Sequence, residues 1–237
     1  HTDNYPHSAI NEWFVMSIAR TVGLDVPDVN IRYVPESVFL VKRFDRVGTE
    51  GEQTERMHML DGCQMLMKPS TAKYRDATIK YLVEIAGQCR SKMQTRQRLY
   101  TWMVFNFLVG NSDAHLKNLS CFCRANGYEL TPHYDLLCTT VYSTPGKWME
   151  ASMVFPIGDA TFFSDVTPAQ FDALAKSLKV SPKFAKDQYE SLPKRVYEAG
   201  QTLLRQCKKD LIDAGEQRLL RSIVYGPIQE ACRQLGF

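Results

Sequence analysis

Residues 111–118 of this chain read Asn-Ser-Asp-Ala-His-Leu-Lys-Asn, and residues 133–135 read His-Tyr-Asp. Six residues of the first segment are polar or ionisable, although it directly follows a strongly apolar stretch. Between the two segments, Asn126-Gly127 separates two runs that are typical of strands, which indicates a β-hairpin. Because a hairpin brings the chain back towards its starting point, we expect Asp135 to lie beside the first segment.

The spacing of Asp113 and Asn118 is that of a kinase catalytic loop, in which the aspartate accepts the proton of the attacking hydroxyl and the asparagine coordinates Mg²⁺. Mg²⁺ prefers oxygen ligands, so Asn118 and Asp135 are its candidate ligands. Lys117 is placed to neutralise phosphoryl charge, and His115 either contacts nucleotide phosphates or holds the loop. Taken singly, each residue is more simply explained as a cap, a turn residue or a loop histidine. The catalytic interpretation depends on their combination.

The first part of the chain predicts a small α/β portion. Apolar residues at helical spacing indicate a helix over residues 9–22, which Gly23 terminates. Residues 29–34 and 38–44 are rich in β-branched and aromatic side chains and predict two antiparallel strands. The polar residues 45–56 then mark a candidate boundary.

The remainder is predicted to be mainly helical. The pattern indicates helices over residues 61–67, 78–89 and 94–109, and hairpin strands over residues 119–124 and 128–131. Beyond Ser143 we expect an irregular stretch. Further helices are expected to start where a polar cap precedes a proline in the first turn, at Thr167, Ser181 and Ser191.

The composition excludes several classes of protein. A chain of 237 residues with 44% hydrophobic and 23% charged residues can bury a core, and it is not disordered, collagen-like or a coiled coil. A net charge of +3 is too small to indicate direct binding to nucleic acid or to a membrane surface. No run of about 18 apolar residues and no signal-peptide pattern occurs, so we expect a cytoplasmic location. The seven scattered cysteines are expected to be reduced thiols, and Cys121-x-Cys123 lacks the spacing of a zinc site.

In this order along the chain, several stretches resemble the HipA-like serine/threonine protein kinases, the toxin halves of bacterial toxin-antitoxin systems. The resemblance covers most of the chain. The matching stretches are Asn11-Glu12, Gly23-Leu24-Asp25-Val26-Pro27, Val41-Lys42-Arg43-Phe44-Asp45-Arg46, Asp61-Gly62-Cys63-Gln64, residues 111–118 and Leu130-Thr131-Pro132-His133-Tyr134-Asp135.

The resemblance implies an α+β, two-lobed protein-kinase-like fold. Residues 1–46 would form a partial N-terminal lobe with the hinge, and residues 47–237 a large, mainly helical lobe. It implies ATP and Mg²⁺ as cofactors, and each role follows from the matching position. Asp113 resembles the catalytic base, with Lys117 as a further catalytic residue, and Asn118 and Asp135 resemble Mg²⁺ ligands. Lys42 and Phe44 resemble the hinge that receives adenine. Three more residues would line the nucleotide site, namely Gln64, His115 and Tyr134, and Glu12 resembles the acid that pairs with a phosphate-binding lysine.

The resemblance further implies a protein substrate among translation enzymes, such as an aminoacyl-tRNA synthetase, and an antitoxin partner with a DNA-binding domain.

The chain departs from the family pattern in the elements that bind the nucleotide phosphates, which are a flexible loop and a strand lysine. Before residue 50 the only lysine is Lys42, at the presumed hinge, and the only glycines are Gly23 and Gly48. Since the chain opens with His1, we expect the missing loop and lysine to lie upstream; a separate N-terminal subunit and a non-catalytic relative are the alternatives.

Two other functions stay open. A non-catalytic interaction module would keep the kinase fold and bind a partner without turnover. A small-molecule phosphotransferase would use the same aspartate and asparagine chemistry on a different acceptor.

Overall fold

The computed structural model describes residues 5–48, 54–144, 146–207 and 212–237. Within these residues the chain combines eight α-helices with small antiparallel sheets of two or three strands. The α+β class expected from the sequence is therefore confirmed. No helix in these ranges combines the length and the apolar character needed to cross a membrane.

The N-terminal elements follow the predicted order. Helix α1 spans Ser8–Thr21, and the chain leaves it at Gly23, whose φ of 90° is in the left-handed region that favours glycine. Strands β1 (Val29–Tyr33) and β2 (Ser37–Val41) pair antiparallel. The predicted second strand is wrong at its end, because the chain turns after Val41. The buried Asp45 carboxylate there accepts hydrogen bonds from the Arg43 guanidinium, with its Nε at 2.8 Å, which holds a turn instead of an extended strand.

The predicted boundary over residues 45–56 contains a short ribbon of β3 (Arg46–Val47) and β4 (Glu55–Arg56), while residues 49–53 lie outside the described residues. The division into lobes at residue 46 stays a prediction. Helix α1 packs against strands β1 and β2 and also against helices of the C-terminal part.

The middle of the chain builds the frame of the polar segment. Strand β5 pairs with the predicted hairpin of β6 and β7. Two helices pack against each other in the same part of the chain, and hydrogen bonds from Arg90 to the Tyr128 carbonyl and from Arg98 to the Leu130 carbonyl join them to the hairpin. The helix predicted over residues 61–67 is a single turn, α2. The elements are β5 (Met59–Asp61), α2 (Gly62–Met65), α3 (Ile79–Gln88), α4 (Lys92–Leu108), β6 (Ser120–Arg124) and β7 (Gly127–Leu130).

The stretch beyond Ser143, predicted to be irregular, contains a second hairpin of β8 (Ser152–Ile157) and β9 (Ala160–Phe162). Strand β8 was not predicted because it contains Pro156, and proline cannot donate a hydrogen bond to a neighbouring strand. The register of the two strands shifts between Ser152 and Ile157, and this irregularity accommodates the proline.

Four helices close the fold: α5 (Pro168–Leu178), α6 (Pro182–Gln206), α7 (Ala214–Ile223) and α8 (Gln229–Gln234). The helix start predicted at Ser191 is wrong, because α6 continues through Pro193. A proline inside a helix costs about 3 kcal/mol. Helix α6 packs on α1, α4, α5 and α8, and the Cys232 thiol donates to the Pro193 carbonyl at 3.3 Å, so tertiary packing outweighs that cost.

The core runs through α1, α4, α5 and α6, and it fixes the start of the polar segment. Trp102, Phe105 and Phe107 of α4 are fully buried. Immediately after the helix, Gly110 has a φ of 65°, and a Cβ atom there would lie 2.2 Å from Thr140 Oγ1. Only glycine fits this crossing, which directs the chain from the core into residues 111–118.

His133 gives the folded state a pH dependence that can be measured. Its imidazole is buried and stacks on Trp102, with ring centroids 6.1 Å apart. Burial, reinforced by the positive charge of Arg98, lowers its pKa to about 3. As the pH falls below about 6.5, the unfolded chain gains a proton that the folded chain excludes, so stability should fall by up to about 1.4 kcal/mol per pH unit.

We expect denaturant titrations between pH 7 and pH 4 to show a shallower loss of stability for His133→Gln than for the unaltered protein. His58→Gln is the matched control, because His58 is exposed and its replacement should leave the profile unchanged. Parallel pH profiles for the His133 variant and the unaltered protein would show that His133 does not cause the loss of stability at low pH.

Candidate active site

Side-chain hydrogen bonds shape the loop that carries Asp113. The Asn111 amide donates to Asn106 Oδ1 at 2.7 Å and accepts the backbone N–H of Asp113 at 3.1 Å. The backbone N–H of Ser112 donates to Thr139 Oγ1 at 2.6 Å. The loop is therefore fixed from the end of α4 on one side and from the segment after Asp135 on the other.

Asp113 is exposed at the tip of this loop. The Tyr74 hydroxyl donates to its Oδ1 at 2.8 Å. A carboxylate that is anchored at one oxygen and open to solvent suits a group that must accept a proton from an incoming hydroxyl.

Asn118 and Asp135 are brought into contact across the β6–β7 hairpin. Asn118 is 3% exposed, and its Oδ1 accepts the backbone N–H of His115 at 2.7 Å. Its Nδ2 donates to the Asp135 carboxylate. Asp135 has a φ of 57°, and this left-handed conformation, which aspartate tolerates better than most residues, directs the chain away from the hairpin.

The environment of Asp135 suits a bound cation. Burial raises the pKa of this carboxyl group above its usual range, and the negative charge of Asp113 adds to the rise, whereas the Asn118 hydrogen bond and the positive charge of Lys73 act in the opposite direction. Among the described residues no basic side chain forms an ion pair with it. Mg²⁺ prefers carboxylate and amide oxygens, and the Asp135 carboxylate is partly desolvated. Asn118 turns its Nδ2 towards that carboxylate, while its Oδ1 accepts the His115 N–H and keeps a second lone pair for a cation. The residues present therefore fit that ion.

Lys73 and Tyr74, which the sequence interpretation missed, complete the surroundings of Asp113. Lys73 Nζ lies 2.9 Å from His115 Nε2 and 4.5 Å from the centroid of the Tyr74 ring. Burial, followed by the positive charge of Lys73, lowers the pKa of His115, so this ring is neutral at neutral pH. Its Nδ1 is buried without a hydrogen-bond partner in the described structure.

Lys117 and Gln64 both gather around Asp61. The Lys117 ammonium forms an ion pair with the Asp61 carboxylate. Gln64 Oε1 accepts the Asp61 backbone N–H at 2.9 Å, and the Gln64 backbone N–H donates to Asp61 Oδ1, which forms the capping box of α2. Sequence spacing alone gave no sign that Asp61 would hold these two predicted site residues together.

Phe44 and Tyr134 of the predicted nucleotide site lie against each other, with ring centroids 5.8 Å apart. The Tyr134 hydroxyl donates to the Lys117 carbonyl at 2.8 Å. Lys42 is exposed, and its backbone N–H donates to the Asp28 carbonyl at 2.8 Å. Burial raises the pKa of Glu12 to about 7, and the negative charge of Asp135 adds to this rise. Glu12 therefore interacts electrostatically with one of the proposed metal ligands.

A pocket of about 780 Å³ opens beside Asp113. Tyr74 and Ser112 line it on one side, and Thr139 and Tyr142 belong to the segment that follows Asp135. The volume lies within the range typical of ligand sites.

Residues 1–214 match the family model described as HipA-like C-terminal domain. Over 156 residues the chain is 35% identical to "Serine/threonine-protein kinase toxin HipA" of Shewanella oneidensis, which covers 59% of this chain and 36% of that protein. It is 30% identical over 215 residues to "Putative kinase Y4mE" of Sinorhizobium fredii, covering 89% of this chain and 50% of that protein. The chain thus spans about a third to a half of the length of these relatives.

Solved structures agree with the sequence relatives. The HipA chain in a Shewanella oneidensis complex of HipA, HipB and operator DNA has a TM-score of 0.87 and 28% identity, covering 98% of this chain and 57% of that one. The Helicobacter pylori proinflammatory kinase CtkA has a TM-score of 0.67 at 14% identity, covering 98% and 83%, which shows the fold alone. The expected α+β kinase-like fold is confirmed.

Proposed function

The chain belongs to the family of HipA-like C-terminal domains, and from that premise we propose that it carries the catalytic centre of a serine/threonine protein kinase that uses Mg·ATP. The observation that carries the proposal is the contact between Asn118 and Asp135 across the hairpin, beside the exposed carboxylate of Asp113. Catalysis of phosphoryl transfer consists mainly of positioning and charge stabilisation, which this arrangement of groups suits.

In the proposed mechanism, the acceptor hydroxyl oxygen attacks the terminal phosphoryl group of ATP, and Asp113 accepts its proton. The bond between that phosphorus and the bridging oxygen breaks, and ADP leaves. Asn118 and Asp135 would hold Mg²⁺, which would neutralise phosphate charge when bound. Lys117 is the proposed further cation of the site. Asn111 and Tyr74 orient the loop and the carboxylate before the substrate arrives.

The proposed nucleotide site uses the residues that the resemblance assigns. Phe44 and Lys42 mark the adenine end, and Tyr134 packs on Phe44. Toward the phosphates lie Gln64, His115 and Glu12. The phosphate-covering loop and its lysine, which residues 1–50 lack, would come from other residues of the complete protein or from a separate N-terminal subunit.

We further propose a cytoplasmic toxin role with an antitoxin partner that has a DNA-binding domain. The support is the HipA relative of known structure, which is described in complex with HipB and operator DNA. The proposed substrate is a translation-related protein, such as an aminoacyl-tRNA synthetase.

The test is transfer of radiolabelled phosphate from [γ-³²P]ATP to protein by the complete natural protein that contains this chain. We expect labelling on serine or threonine with Mg²⁺ and none with excess EDTA. Binding of Mg·ATP without any transfer would contradict the proposal and favour an interaction module. If free sugars or aminoglycosides reduce this labelling by acting as competing phosphate acceptors, the result would favour a small-molecule phosphotransferase.

A further inference from the structure

The pocket beside Asp113 has an unusual lining. Seven of its nine lining side chains carry a hydroxyl group, and three of these are tyrosines. The Asp113 carboxylate is the only charged group among the nine. A site lined in this way offers hydrogen bonds and aromatic walls, and none of its nine described lining residues carries a positive charge that would neutralise an acidic ligand.

Tyr74 lines this pocket beside Asp113, and three contacts hold it there. Its hydroxyl donates to Asp113 Oδ1 at 2.8 Å. The Lys73 ammonium lies over its ring, and the His115 ring meets it edge to face, with centroids 5.1 Å apart. In addition, the backbone N–H of Leu116 donates to the Lys73 carbonyl at 3.3 Å, which ties this segment to the catalytic loop.

The hydrogen bond leaves the carboxylate able to act. An ionised carboxylate has about four acceptor sites on two oxygens, and Tyr74 uses one site of Oδ1. Burial and the hydrogen bond to Asp113 raise the pKa of Tyr74, so its hydroxyl remains a donor at neutral pH. Oδ2 therefore stays available to an acceptor hydroxyl that enters from the pocket.

We propose that this pocket receives the acceptor segment of the protein substrate, and that Tyr74 is a positioning residue that fixes the Asp113 carboxylate at its mouth. This inference rests on the kinase function proposed above. The acceptor is a polypeptide segment without acidic side chains next to the phosphorylated hydroxyl, because the charge of Asp113 disfavours them and none of the nine described lining residues is basic.

The first test compares Tyr74→Phe with the unaltered complete protein, using a library of serine-centred peptides as acceptors. Loss of a hydrogen bond to a charged group predicts a fall in kcat of at least about tenfold. The KM for ATP and the Tm should not change, which separates loss of positioning from loss of folding. Tyr225→Phe is the matched control, because Tyr225 is an exposed tyrosine whose ring pairs with Tyr197.

The second test changes the charge of the pocket through Ser143→Lys. The unaltered protein should disfavour peptides with glutamate beside the acceptor serine. The lysine variant should improve kcat/KM for those peptides by about fivefold relative to alanine-flanked peptides, as a surface ion pair of about 1 kcal/mol allows.

The outcomes separate this inference from the proposed function. No transfer by the unaltered protein would overturn the kinase function and this inference with it. An active protein in which Tyr74→Phe keeps its kcat, or in which Ser143→Lys leaves the glutamate preference unchanged, would overturn this inference alone.

Discussion

Asp113→Asn is expected to reduce the rate of phosphate transfer by about 10²–10⁴-fold, the range that a positioned general base contributes. Asparagine keeps the shape of the side chain, and its Oδ1 can still accept the Tyr74 hydroxyl. The backbone N–H of residue 113 still donates to Asn111. The change therefore removes the ability to accept a proton while the loop keeps its hydrogen bonds. Initial rates of label transfer by the complete protein measure the effect.

The matched control is Asp187→Asn, which replaces an exposed aspartate on α6. Its transfer rate should equal that of the unaltered protein, and both variants should keep the unaltered Tm. A transfer rate for Asp113→Asn within a few-fold of the control would remove Asp113 from the role of base.

Asp135→Asn should produce two opposite effects. Replacing a carboxylate ligand by a neutral amide is expected to abolish Mg²⁺-dependent transfer and to weaken Mg·ATP binding at least about tenfold. Without nucleotide the variant should be at least as stable as the unaltered protein, because burial raises the pKa of Asp135 and so opposes its charged form. Asparagine also tolerates the φ of 57° at this position.

Calorimetric titration with Mg·ATP and thermal unfolding without ligand measure these two effects separately, again with Asp187→Asn as the control. Unchanged Mg·ATP affinity in Asp135→Asn would place the metal elsewhere. A large fall in Tm together with the loss of activity would show that Asp135 acts through the fold rather than through a ligand.

Local sequence signals predicted the parts of the fold that frame the site. Asn126-Gly127 marked the hairpin that returns the chain from Asn118 to Asp135. Ala125 and Asn126 form its turn, and Gly127, which pairs with Arg124, has the positive φ of 110° that favours glycine. Gly23 marked the end of α1, since its positive φ is costly for other residues. In both places the local backbone conformation determines the structure, so the residue types at these positions are enough to predict it.

Contacts between distant residues were not predictable in the same way. Tyr74 reaches Asp113 over a separation of 39 residues, and Lys117 reaches Asp61 over 56. No periodicity or motif encodes these pairs, because they depend on how whole segments pack. The same reason explains α6, in which tertiary packing keeps the helix continuous at Pro193, although the Ser191-Leu192-Pro193 sequence locally predicts a helix start. The catalytic and metal-binding roles of the site residues stay predictions.

The central claim is that Asn118 and Asp135 jointly hold a divalent cation within reach of Asp113. Its most direct test is anomalous diffraction from crystals of the complete protein grown with Mn²⁺ and a non-hydrolysable ATP analogue. We expect one Mn²⁺ peak bonded to oxygens of Asn118 and Asp135, with the Asp113 carboxylate facing the terminal phosphate and not bound to the metal. A Mn²⁺ ion bound with the analogue at a place that neither Asn118 nor Asp135 touches would contradict the claim.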